Sequence, residues 1–152
     1  MTDYGKLLEM AIKDLDKSYV PYSHFHCSAA LLCSDGTIVK GVNIENAAYT
    51  PTICAERCAF FKAVSEGHRD FVAIAVVGCS EEALESGEYK EGHLAGEYGN
   101  SGPCGVCRQV MQEFCDPDKF DIILGRSATD YKVFKLKEMY PYGFGPADLG
   151  IK

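Results

Sequence analysis

Hydrophobic positions recur at helical period in some stretches of the chain and run unbroken in others. Between residues 4 and 17, Leu7, Leu8, Ala11, Ile12 and Leu15 fall on one face, with Lys6, Lys13, Asp14 and Lys17 turned outward, which predicts an amphipathic packing helix. Pro21 interrupts that period, and residues 18–25, rich in aromatic and hydroxyl side chains, read as a loop beside a pocket. Two short apolar runs, 27–33 and 37–44, are joined by Ser34-Asp35-Gly36 and predict a hairpin that opens a sheet. A helix is predicted from Cys54, after Pro51, on the run Ala55, Cys58, Ala59, Phe61, Ala63 and Val64, with Gly67 as its stop. Residues 71–79 are apolar without alternation, as in a central strand covered on both faces.

Residues 80–102 differ in character. Glu81, Glu82, Glu85, Glu88, Glu91 and Glu97 occur there with repeated glycines, and Ala83-Leu84-Glu85 and Tyr89 are where extra structure would form. Helical spacing resumes after Pro103 with Val106, Val110, Met111 and Phe114. Residues 120–124 and 131–134 then read as strands, 134–139 as a short helix or turn, and 140–152 as an aromatic, glycine-rich tail. Strands alternating with helices place the chain in the α/β class, with a helix-flanked sheet.

The length of 152 residues and the 47% hydrophobic content suit one domain, 1–152, with a substantial core. A net charge of −7 argues against a nucleic-acid partner, whose binding rests on neutralised phosphates. No apolar run approaches the ~18 residues of a membrane helix, so no membrane partner is expected. The start, Met1-Thr2-Asp3-Tyr4, has no basic-then-apolar secretory pattern, so a cytoplasmic setting is expected and the eight cysteines are expected as thiols.

Three of those cysteines carry chemistry. Cys54 and the Cys104-x-x-Cys107 pair offer three thiolates for a tetrahedral Zn²⁺ with a fourth position for water, the ligand count of a catalytic site. Both segments sit at predicted helix starts, whose positive dipole ends favour thiolate. Three anionic ligands damp the acidity of a bound water relative to imidazoles. Arg57, donating to thiolate sulfur, and Glu56, accepting the water proton, would restore it. Cys58, one turn past Cys54, is the alternative fourth ligand of a purely structural site, and the Cys-x-x-Cys pair alone would also fit a thiol redox motif. Cys27, Cys33, Cys79 and Cys115 read as small core residues, and the four histidines, His24, His26, His68 and His93, form no ligand-spaced pair.

Cys54-Ala55-Glu56-Arg57 with Pro103-Cys104-Gly105-Val106-Cys107-Arg108 resembles the cytidine deaminases. Pro21-Tyr22-Ser23-His24-Phe25, Gly41-Val42-Asn43-Ile44-Glu45-Asn46-Ala47 and Phe144-Gly145-Pro146-Ala147-Asp148-Leu149 extend the resemblance over nearly the whole chain, to the homotetrameric free-nucleoside branch. The resemblance implies a three-layer α/β/α fold with a mixed sheet of about five strands. It implies hydrolytic deamination of cytidine and 2′-deoxycytidine in pyrimidine salvage, with zinc-activated hydroxide attacking C4 and Glu56 moving protons. It assigns Phe25 to the base, Asn43 and Glu45 to the ribose, Ala55 and Tyr49 to substrate contact, and Phe144 to a neighbouring subunit's site. The family usually crosses the gap at 80–102 with a shorter loop, so this acidic insertion is a departure.

Other readings of the same motifs remain open. A deaminase of another aminopyrimidine nucleoside, such as blasticidin S, uses the same metal motifs, although Asn43-Ile44-Glu45-Asn46 favours a free ribose. A polynucleotide deaminase would need basic surface. A structural zinc module would need four protein ligands.

Overall fold

The computed structural model describes residues 2–91 and 101–151. The predicted positions in 92–100, His93 and Glu97 among them, lie outside the described residues. Five strands form one sheet: β1 (Phe25–Cys33), β2 (Ile38–Val42), β3 (Phe71–Ser80), β4 (Asp121–Ser127) and β5 (Asp130–Lys135). Their order is β2-β1-β3-β4-β5, antiparallel throughout except for the parallel β3–β4 pair, so the sheet is mixed as expected.

Alternation along the strands gives each face its own core. Ala29, Leu31, Ile74, Val76 and Ile122 meet α2 (Ala55–Ser65) and α4 (Gly105–Phe114) on one side. Phe60 is fully buried there, its ring centroid 5.0 Å from that of Phe71 and 6.0 Å from that of Phe120. On the other face Ala30, Ala73, Ala75, Val77 and Ile123 pack on Leu7, Leu8, Ala11 and Leu15. These layers are the three-layer arrangement. At one side of the sheet the Tyr4 hydroxyl donates to Asp121, while Lys135 pairs with the same carboxylate at 2.7 Å.

Several predicted boundaries shift. The first helix ends early: α1 is Tyr4–Ile12, and Leu15–Lys17 continues as a 3-10 turn. There the buried Asp14 carboxylate accepts from Lys17 at 2.7 Å and from Lys40 of β2 at 2.6 Å. In α2 the core aromatic is Phe60, whereas Phe61, assigned to the apolar run, is 47% exposed. Val106 of α4 is exposed likewise. Pro103 precedes α4 instead of opening it, because Cys104 takes the N-cap position.

The acidic insertion begins as ordered structure. Ser80 caps α3 (Glu81–Ser86) by accepting from the Ala83 N–H at 3.3 Å, Gly87 closes it with φ +80°, and a 3-10 turn follows at Glu88–Glu91. Tyr89 buries against the α1-side core, which anchors the segment to the sheet. A short α5 (Leu136–Met139) and a 3-10 turn at Pro146–Leu149 complete the described chain.

Candidate active site

Two helix starts meet at the cysteines. Cys54 is the N-cap of α2 and Cys104 the N-cap of α4, with Cys107 one turn inside α4. The α2 start reaches this place because β2 carries Gly41: a Cβ there would stand 2.4 Å from both the Ala55 carbonyl oxygen and the Ala59 nitrogen. The α4 start is braced by Arg108, whose Nε donates to the Pro103 carbonyl at 2.8 Å and whose Nη1 donates to the Met139 carbonyl at 2.7 Å. The second arginine of the motif thus holds the loop that carries Cys104.

The three sulfurs converge. Cys54 Sγ lies 3.9 Å from Cys104 Sγ, and Cys104 Sγ lies 3.5 Å from Cys107 Sγ. Zinc–sulfur bonds of about 2.3 Å in tetrahedral array need an S···S edge of about 3.8 Å, which these distances bracket. The donor set and its spacing therefore fit zinc. Cys58 stands outside this group of ligand atoms, so the fourth corner is not taken by that thiol.

Electrostatics prepare the sulfurs for a cation. The Cys54 thiol is lowered to about 5, chiefly by a hydrogen bond from Cys107 and, against the cost of burial, by Arg57, whose Nη2 donates to Cys54 Sγ at 3.5 Å. Cys107 is raised, because it supplies that hydrogen bond and is buried. One proton held between two sulfurs is what a metal would displace. Arg57 thus stands against the sulfurs as its place in the motif suggested, and its buried Nε has no hydrogen-bond partner among the described residues.

Glu56 occupies the first turn of α2, 5% exposed. Burial pushes its carboxyl up to about 7, with the Cys54 charge adding to the rise. It lines a cavity of about 170 Å³ together with Cys54, Cys104, Cys27, Asn43 and Val76. A carboxyl near neutrality beside a metal-binding group is suited to taking and returning protons.

The remaining site residues fall into two places. Asn43 lines the inner cavity, but its amide is engaged with β1: Oδ1 accepts from the Cys27 N–H at 2.8 Å and Nδ2 donates to the Phe25 carbonyl at 2.9 Å. Glu45 and Tyr49 line an outer cavity of about 370 Å³ with Tyr22, Ser23 and Thr52. Thr52 borders both cavities. Glu45 Oε2 accepts from the Tyr22 and Ser23 N–H groups at 2.9 and 3.2 Å; these bonds outweigh burial and hold its carboxyl below the usual range.

Phe25 begins β1, half-buried, its ring against β3 at Gly78, where a Cβ would come within 2.9 Å. Ala55 is fully buried at the start of α2. Phe144 is 58% exposed and lies apart from both cavities, its carbonyl accepting from Gln109 at 2.9 Å. Several lining residues, Cys27, Thr52 and Ser101 among them, escaped the sequence reading. Cys27, assigned to the core, is half-buried in the inner cavity, and burial followed by the Glu56 and Cys54 charges raises its thiol to about 12. Thr52 and Ser101 complete the wall; Ser101 Oγ donates to the Val76 carbonyl at 3.2 Å. Their proximity to Cys54 and Cys104 in sequence was the available signal.

Residues 1–120 match the family described as cytidine and deoxycytidylate deaminase zinc-binding region. The chain is 42% identical over 147 residues to the cytidine deaminase of Halalkalibacterium halodurans, covering 97% of this chain and 98% of that one. It is 41% identical to a probable cytidine deaminase of Dictyostelium discoideum, over 97% of this chain and 87% of the other. Its fold is similar to the crystal structure of cytidine deaminase from Burkholderia pseudomallei, with a TM-score of 0.75 at 37% identity, covering 95% of this chain and all of that one.

Proposed function

The chain belongs to the cytidine and deoxycytidylate deaminase family and is a hydrolytic deaminase, and from that premise we propose that it converts cytidine and 2′-deoxycytidine to uridine and 2′-deoxyuridine. The observation that carries this reading is the buried Glu56 carboxyl sharing one cavity with Cys54 and Cys104.

Cys54, Cys104 and Cys107 would hold one zinc per chain, which supplies Lewis-acid activation of water near neutral pH. Glu56 takes a proton from the attacking water and delivers it to N3 of the pyrimidine as C4 becomes tetrahedral. It then carries the proton of the new C4 hydroxyl to the amino group, the C4–N bond breaks, and ammonia leaves. Arg57 draws charge from the Cys54 sulfur, which keeps three thiolates from quenching the site.

The two cavities divide the substrate. The base enters the inner one, flanked by Cys27 and Val76, with Phe25 at the start of β1 turned to a face of the ring and Ala55 buried at the α2 start behind Cys54. The sugar lies outward, toward Glu45 and Tyr49, with Asn43 fixing the β1 backbone between. The inner cavity, about 170 Å³, is smaller than a ligand pocket of ~300–1,000 Å³ and holds only part of a nucleoside, while the outer one, about 370 Å³, shares Thr52 with it as a wall. Blasticidin S, with its altered sugar, is the competing substrate. Measured kcat/KM for the three compounds decides it: both nucleosides should outpace blasticidin S, and the reverse order overturns the assignment.

The chain works as one domain in a homotetramer. Phe61, Val106, Tyr142, Phe144, Leu149 and Ile151 are exposed apolar side chains of the kind an interface covers, and Phe144 would complete a neighbour's pocket. The reading extends to pyrimidine salvage in the cytoplasm, supported by eight cysteines of which none is in a disulfide. Sedimentation at four times the chain mass tests the assembly. A structural zinc site is disfavoured by the three-ligand geometry.

A further inference from the structure

Among the described residues a second group of metal-ligating atoms converges far from the catalytic cysteines: Cys33 Sγ, a carboxylate oxygen of Asp35 and a ring nitrogen of His68 all lie within 4.8 Å of one another. We propose that Cys33, Asp35 and His68 supply three ligands of a second metal site, its fourth position left to water, that takes a divalent transition-metal cation of the zinc class. The proposal does not depend on the deaminase chemistry.

The three ligands come from two turns that the backbone already ties together. Cys33 ends β1, and Asp35 follows in the tight turn before β2, where Gly36 adopts φ +88°. His68 lies just past the end of α2, after Gly67 at φ +99°, its N–H donating to the Ala63 carbonyl at 3.0 Å. The Ser34 N–H donates across to the Asp70 carbonyl at 3.0 Å, which holds one turn against the other. Asp35 Oδ1 accepts from the Thr37 N–H at 2.9 Å, and this anchor turns Oδ2 toward His68.

The spacing that pairs His68 with Asp35 also accommodates two ligands on one ion. His68 Nδ1 stands 3.4 Å from Asp35 Oδ2. A charge-assisted N–H···O bond would close to about 2.7–2.9 Å. Zinc bonds of about 2.0–2.1 Å to nitrogen and oxygen set a tetrahedral N···O edge of about 3.3–3.4 Å. The corresponding edge to sulfur is about 3.6 Å, so the Cys33 thiol needs to close by at most about 1.2 Å. Sulfur, imidazole nitrogen and one carboxylate oxygen form a borderline donor set that suits Zn²⁺ and excludes the all-oxygen cations Ca²⁺ and Mg²⁺.

Burial grades across the group. Cys33 is 1% exposed, the His68 ring is 22% exposed and the Asp35 carboxylate 56%, so an ion would sit at the protein rim with its fourth corner toward water. Cys54 marks the start of α2 and this group its far end, an 11-residue helix of about 16 Å away. A metal here would staple the β1–β2 turn to the α2–β3 turn. It would fix the C-terminal end of the helix whose N-terminal end carries Glu56.

The test counts zinc in the intact protein. Wild type and His68→Ala are dialysed against the same zinc buffer and the bound metal is measured by atomic emission. The wild type should hold one more zinc per chain than the variant, with cytidine turnover equal in both, and zinc should raise the wild-type Tm by more. Asp35→Asn, at an exposed turn position, should lose the same equivalent. Equal zinc content in wild type and His68→Ala overturns the proposal, whatever the catalytic site binds.

Discussion

Ala55 rests on Gly41 with no room for a side chain between them: a Cβ on Gly41 would stand 2.4 Å from the Ala55 carbonyl oxygen. This contact seats the start of α2 on β2, and with it Cys54 and Glu56. Backbone meets backbone there, so a methyl group cannot be accommodated by rotating a side chain. Gly41→Ala should therefore displace the helix start, lower stability by roughly 1–3 kcal/mol or more, and weaken zinc retention together with turnover. Unchanged zinc content and kcat in that variant would separate the contact from the site.

Glu56→Gln keeps the size and burial of the side chain and removes its proton-carrying capacity. The variant should bind zinc as the wild type does and lose roughly 10²–10⁴-fold or more in kcat, the range for removal of a general acid–base group. Paired metal analysis and turnover check this. A variant that retains a third of wild-type kcat removes Glu56 from the proton path.

Arg57 donates to the Cys54 sulfur at 3.5 Å and acts on the metal site through that contact. Arg57→Gln should lower zinc affinity or kcat by roughly 10- to 100-fold, and the Cys54 thiol of the metal-free variant should react with alkylating reagents over a higher pH range than in wild type. An unchanged alkylation profile would leave the arginine a packing role alone.

Asp14 supplies an acid-sensitive contact on the opposite face of the sheet. Burial opposes its ionisation, but hydrogen bonds from Lys17 and Lys40 outweigh that cost and hold its carboxyl below the usual range. A depressed folded-state value stabilises the protein above the ordinary carboxylate range and is lost as pH falls through the folded value. Asp14→Asn should therefore cost roughly 2 kcal/mol at pH 7 and less below pH ~4, a convergence visible in urea unfolding at the two pH values.

Much of this was legible in the sequence because its signals are local. Pro51 and Pro103 with the apolar runs after them located the two helix starts to within a residue or two, and short unbroken apolar runs placed the strands. What escaped depended on contacts across the sheet. Asp14, just past the end of α1, is buried with its carboxylate on Lys40, a partner 26 positions away, which no helical period encodes. Phe60 and Phe61 are equally apolar, and packing against Phe71 and Phe120 alone decides which is buried. Cys27 resembles its core neighbours in sequence, and only the placement of Glu56 and Cys54 beside it makes it a pocket residue. His68 likewise acquires Cys33 and Asp35 as neighbours through the meeting of two turns, so a search for ligand pairs along the chain passes over it.

The central claim is zinc-dependent conversion of a free nucleoside. The most direct measurement follows the ultraviolet absorbance of cytidine with zinc-loaded protein, counting ammonia in parallel, before and after metal removal by a chelator and again after zinc is restored. The account predicts stoichiometric uridine and ammonia, loss of turnover without metal, and recovery with zinc. Absence of conversion of both cytidine and 2′-deoxycytidine by protein with Cys54, Cys104 and Cys107 fully metallated would contradict it.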